Sequence, residues 1–216
     1  MNKSVYSLVL NDDVVGEIDR MAYELNTSRS KMINGILADY VSYETPEKQM
    51  RQVFDRIDNM LVGDMFQRLL QPSDSMFSLR SALSYKYNPT IRYSVELYEN
   101  AKPWVGELRV SVRSQNSTLM LTILQFFKLW TRIENRYIGE TEYSIEDGRY
   151  SRKLRQPPQG TAADYAAVGE AIAAYIEVFD RAIKTYFENL TSPQYAVVAV
   201  EKIYADGFGA YKGLIL

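Results

Sequence analysis

The sequence predicts an α+β protein in two parts. Residues 1–44 form a short strand–helix–helix segment, and residues 45–216 form an α+β domain with an antiparallel sheet and several helices. Three observations carry that expectation. The opening "VYSLVL" alternates and then gives way to two stretches of helical period. The middle of the chain holds three alternating runs, "FSLRSALSYKY", "TIRYSVELYE" and "ELRVSVRS". The remainder is mostly long, apolar-striped segments that begin on capping residues.

In the first segment Tyr6, Leu8 and Leu10 share one strand face, and Val5, Ser7 and Val9 share the other. Asn11 is a helix cap, and Asp12 and Asp13 occupy the first turn, where negative charge is favoured. Val14, Ile18, Met21, Ala22 and Leu25 then recur as one apolar stripe. Asn26 is suited to the left-handed residue that ends a helix. Ser28 caps a second helix that carries Met32, Ile33, Ile36, Leu37 and Tyr40. A lone strand leaves its backbone groups unpaired, so its partner is expected outside this chain.

The order of these elements in "VYSLVLNDDVVGEIDRMAYELNTSRSKMINGILADYV" resembles the ribbon-helix-helix family of DNA-binding proteins. The resemblance covers about the first fifth of the chain. It implies that two copies pair their N-terminal strands into an antiparallel ribbon, closed by four helices, that enters the major groove of double-stranded DNA. It therefore implies a homodimer or higher homo-oligomer. By position, Val5, Ser7 and Val9 would face bases, while Tyr6, Leu8 and Leu10 would enter the dimer core. The backbone N–H groups of Ser28, Arg29 and Ser30 would hold a phosphate, and Lys3 and Arg29 would add positive charge. Val5 and Val9 can touch thymine methyls but cannot hydrogen-bond to a base edge. Over residues 1–45, Lys3, Arg20, Arg29 and Lys31 face a larger number of carboxylates, so phosphate attraction must come from charge placement.

"YETP" joins the two parts, with Thr45 as a cap and Pro46 at the first helical position. The spacing of Met50, Val53, Phe54, Ile57, Leu61, Met65 and Leu69 predicts a third helix from about Pro46 to Leu70. The three alternating runs predict antiparallel strands. Phe77, Leu79, Leu83, Tyr85 and Tyr87, then Ile91, Tyr93, Val95 and Leu97, then Leu108, Val110 and Val112 are expected inside. Arg92, Glu96, Arg109 and Arg113 fall on the other face, where cross-strand Glu–Arg pairs are expected. A central helix is expected near 117–137, and Asp147-Gly148 predicts a hairpin turn. "TAAD" at 161–164 is a capping box before a long helix striped by Val168, Ile172, Tyr175, Phe179, Ile183 and Phe187. Pro193 opens the last helix. In "RYSRKLR", Arg149, Lys153 and Arg155 share a face, and such charges are expected to guard an edge strand or, less simply, to meet phosphates.

The chain has 216 residues, 46% of them hydrophobic and 24% charged, with a net charge of −2. It has neither cysteine nor histidine. That removes disulfides, thiolate chemistry, the commonest metal ligand and the commonest general base. No nucleophile–base pair is visible, so no enzyme, no catalytic residue, no metal and no cofactor is expected. "MNKSVYSLVLNDD" is not a signal peptide, and the most apolar run, "LMLTILQFFKLW", is too short to span a bilayer. The expected location is the cytoplasm, away from membranes. The sequons at Asn26 and Asn116 read as turn or cap residues. Most of the seventeen tyrosines are expected in the core with wet hydroxyls.

The combined expectation is a sequence-specific transcriptional regulator. It would act as a homodimer through its ribbon, with a second domain for oligomerisation or sensing. Regulators of this family that sense a metal use such appended domains, but without His or Cys an effector here would be a small organic molecule. The alternative is an interaction protein for plasmid or phage DNA handling or protein assembly, whose ribbon dimerises without reading DNA.

Overall fold

The computed structural model describes residues 4–63, 65–70, 73–99, 103–155 and 165–210, and the chain divides into two units, Met1–Gln49 and Met50–Leu216. In the first unit, α1 (Asp12–Glu24) starts on Asn11, whose side chain accepts from the Asp13 N–H at 2.9 Å. Asn26, at φ +48°, ends the turn after α1. Ser28 then caps α2 (Arg29–Tyr40) by accepting from the Lys31 N–H at 3.3 Å. Residues 4–10 form no strand here: helices come first and every described strand comes later. The expected N-terminal strand is therefore absent from the single chain. The physical reason is the one that makes a lone strand costly, since its ladder groups have nothing to pair with.

The second unit is α+β, and its sheet is antiparallel throughout. Its elements are β1 (Gln67–Arg68), β2 (Met76–Ala82), β3 (Thr90–Leu97), β4 (Trp104–Val112), α4 (Ser117–Ile138), β5 (Tyr143–Glu146), β6 (Arg149–Arg155), α5 (Tyr165–Glu188) and α6 (Pro193–Gly207), preceded by α3 (Pro46–Leu61). The strand order is β1-β2-β3-β4-β6-β5, so α4 crosses from β4 to a hairpin whose second strand inserts beside β4. Asp147 (φ +44°) and Gly148 (φ +73°) make that hairpin's two-residue turn, as the Asp-Gly pair predicts.

Alternation sorts the sheet into two faces. Phe77, Leu79, Ile91, Tyr93, Val95, Leu108, Val110, Tyr150 and Leu154 are all buried on one of them. Helices pack there: Phe54 of α3 stacks on Phe77 at 5.7 Å, Phe127 of α4 lies 5.7 Å from Tyr150, and Phe179 of α5 meets Tyr93 edge-on at 6.2 Å. α6 completes the helical layer, with Tyr204 edge-on to Trp130 at 5.1 Å. Asn116 caps α4 through its side-chain oxygen and the Leu119 N–H, as its sequence context suggests. The 161–164 capping box lies outside the described residues, but the whole α5 stripe from Val168 to Phe187 is buried.

Three expectations need correction. The third helix stops at Leu61, not near Leu70. Gly63 weakens continuation, Phe66 turns into the core edge-on to Tyr93 at 5.8 Å, and Gln67 and Arg68 pair with β2. Met65, expected in the stripe, is exposed. The first long run ends as a strand at Ala82, and Tyr87 sits exposed at φ +67° in the turn to β3. Finally, "RYSRKLR" is not an edge strand over most of its length, because β5 pairs along it from Arg149 to Arg152.

Candidate nucleic-acid interface

The residues expected to face bases are solvent-exposed in the single chain. Val5, Ser7 and Val9 stand free, and so do Tyr6, Leu8 and Leu10, which were expected in a dimer core. Lys3 lies outside the described residues. Among the described apolar residues of the unit, only Ile18, Ala22 and Ala38 are buried. Val14, Met21 and Leu25 of the α1 stripe and Ile36, Leu37 and Tyr40 of α2 remain exposed. A stripe at helical spacing left mostly in water is unfinished packing.

Two helix N-termini differ sharply in charge. The first turn of α1 holds Asp12 and Asp13, which satisfy its positive end internally. The first turn of α2 has no acid. Ser28 caps it, and Arg29, Ser30 and Lys31 follow, so its N–H groups form the more suitable anion seat of the two. Arg29 itself is engaged. Its guanidinium makes a two-point pair with Asp19 of α1, at 2.6 Å from Nε to Oδ1 and 2.5 Å from Nη2 to Oδ2. Its hydrogen bond to Arg29 lowers the Asp19 pKa, and the same bond raises that of Arg29. Arg20 is held similarly by Glu17 and Glu24.

The second unit contains two buried polar clusters that composition alone does not announce. Glu134 of α4 is fully buried, and Arg152 of β6 is 1% exposed; they pair at 3.2 Å. The hydroxyls of Tyr150 and Tyr175 donate to Glu134 at 2.6 and 2.9 Å, and Trp130 Nε1 donates to the Tyr175 hydroxyl at 2.8 Å. Burial first, then the Glu134 charge, pushes both tyrosine pKa values far up. In the second cluster, Asp180 of α5 accepts from the Ser81 hydroxyl and from Tyr93 at 2.8 Å, and pairs with Lys184 at 2.6 Å. The tyrosines of these clusters are thus in the core as expected, but their hydroxyls are bound to acids rather than wet. A substrate could touch Glu134 only if helices parted from the sheet, so this cluster acts as a packing device. A signal for it existed: Glu134 follows Trp130 by four residues on the α4 stripe, and Arg152 alternates in phase with Tyr150 and Leu154.

On the sheet's other face, Glu107 is the hub. It receives Lys153 Nζ at 2.7 Å, Arg109 Nε at 2.9 Å and the Tyr98 hydroxyl at 2.9 Å. Arg109 also pairs with Glu96 at 2.7 Å, the cross-strand Glu–Arg pair that the alternation predicts. Burial raises the Glu107 pKa, but the three donors outweigh it and hold it at about 2.

Among the described residues no helix is long and apolar enough to cross a membrane. Compared with protein-family models, curated proteins and solved structures, the chain matches none.

Proposed function

We propose that this chain is a cytoplasmic, homodimeric regulator of transcription that binds double-stranded DNA. In the dimer, residues 5–10 of two copies would pair as an antiparallel ribbon, with Val5, Ser7 and Val9 turned to the bases. The observation that carries this reading is the unfinished first unit. Its tail residues Tyr6, Leu8 and Leu10, with Val14, Met21 and Leu25 of the α1 stripe and Ile36, Leu37 and Tyr40 of α2, are apolar and exposed together. A segment of this size buries too little on its own, and a second copy supplies both the missing strand and the cover. The acid-free N-terminus of α2 supports a phosphate contact through the N–H groups of Ser28, Arg29 and Ser30. Lys3 and Arg29 would add charge. The second unit would provide oligomerisation or response to an organic effector.

One observation favours the rival, a dimerising interaction protein that does not read DNA. Arg29, the cation nearest the phosphate seat, is already bound to Asp19. Selection from random duplex DNA, with salt titration of whatever is retained, separates the two. A short enriched motif, bound less tightly as salt rises and weakened by Arg29→Ala, supports the regulator. No enrichment, with binding indifferent to Arg29→Ala, leaves the ribbon as a dimerisation device only.

A further inference from the structure

The face of the sheet turned away from the helices carries a charge pattern that packing does not explain. Arg80 of β2 stands directly opposite Arg92 of β3, and like charges so placed are destabilising. Both are exposed. Nε of Arg80 donates to Gln67 Oε1 at 3.0 Å, and Nη2 of Arg92 lies 3.4 Å from the Ser78 hydroxyl. Among the described residues neither has a carboxylate partner. Two strands further on, Arg149 and Arg155 are exposed on the same face of β6. Arg149 is not an edge guard, because β5 pairs with β6 from Arg149 to Arg152. With Arg109 and Lys153, these cations outnumber Glu96, Glu107 and Glu146 on that face, in a chain whose net charge is −2.

We propose that this sheet face is a second DNA contact, in which Arg80, Arg92, Arg149 and Arg155 bind phosphate oxygens of the duplex backbone. The choice of DNA rests on the reading of the first unit given above. Charge complementarity selects a polyanion, and guanidinium forks fit phosphate oxygens two at a time. From β2 to β6 is three strand spacings, about 14 Å, which spans several backbone phosphates. The face offers charge rather than base stacking. Its aromatics are already covered, Trp104 by Arg155 at 5.5 Å and Tyr98 by Lys153 at 4.9 Å. The contact is therefore sequence-independent and adds affinity without adding a motif.

The test is anisotropy titration of the 216-residue protein with a labelled random duplex, between about 50 and about 200 mM salt. The expected result for Arg80→Gln/Arg92→Gln is a log–log salt slope shallower by about two and low-salt binding weaker by about tenfold. Arg132→Gln, which removes an exposed cation of α4, should leave the slope unchanged, and circular-dichroism melts should show every variant folded. A double variant with the wild-type slope overturns the proposal. So does an equal loss in Arg132→Gln, or a wild type that binds no duplex but binds polyglutamate, which would point to an acidic protein partner. A Val5→Ala/Val9→Ala/Arg29→Ala variant separates this from the ribbon reading. Loss of all duplex binding there overturns the sheet contact and keeps the ribbon. A retained slope that only the sheet variants remove keeps the sheet contact and overturns the ribbon.

Discussion

Glu107 shows how a single side chain ties stability to pH. Burial alone would raise its pKa, but hydrogen bonds from Lys153, Arg109 and Tyr98 bring it to about 2, against an ordinary 4.5. A carboxylate whose folded pKa is lowered contributes stability above its unfolded value and loses it as pH falls through the folded one. Its share is thus complete above about pH 4.5 and gone by about pH 2. In Glu107→Gln the denaturant midpoint should be lower at neutral pH, and its fall between pH 4.5 and pH 2 should be shallower than in the wild type. Parallel acid limbs for the two proteins would show that the hydrogen bonds do not hold the group down. Glu134 and Arg152 make the contrasting case, because both are buried between α4 and the sheet, where they pair with each other and Arg152 lies over the Tyr175 ring. Half of that pair was visible in the sequence, since alternation puts Arg152 inside. Which acid meets it was not visible, because α4 and β6 are brought together only by the fold.

Two glycines show what the strands require of their neighbours. Gly106 follows the irregularity at Trp104 in β4, where a Cβ would overlap the backbone carbonyl oxygen of Glu96 on β3. A backbone oxygen held by strand pairing cannot move aside, so Gly106→Ala should cost about 3 kcal/mol. That corresponds to a melting point lower by roughly 6–12 °C for a protein of this size. Gly148→Ala meets the flexible end of Met120 instead, but it also forces a side chain onto a φ of +73°. Its cost should be about 1–2 kcal/mol, smaller than that of Gly106→Ala. Equal melts for the two variants would contradict this ranking. The Asp-Gly turn, the caps at Asn11, Ser28 and Asn116, and the stripes of α4 and α5 were all legible beforehand. The end of α3 was not, because the helical period runs on through Met65 and Leu69 while Phe66 finds a better place against Tyr93.

For the molecule as a whole, the decisive quantity is the number of copies. If residues 5–10 pair across a dimer, sedimentation should give twice the chain mass, and the melting point should rise with concentration. Leu8→Ala should raise the dimer dissociation constant by about a hundredfold or more, because each copy loses a buried leucine. A monomer at every concentration, or a dimer indifferent to Leu8, would remove the basis of the ribbon. The candidate site was readable as residue types in order: an alternating tail, a capped helix, a capped second helix without acid at its start. Under the proposed dimer, its assembly would lie between two copies.

The division between what could be read and what had to be seen follows the distance over which each feature is decided. Caps, helical stripes and the hairpin turn depend on residues a few positions apart, so the chain's order specifies them directly. The neighbour of β6, the partner of Arg152, the end of α3 and the facing of Arg80 by Arg92 depend on residues far apart in sequence. Packing against the helices and strand register settle those, and only the folded sheet makes the positive face recognisable as one surface.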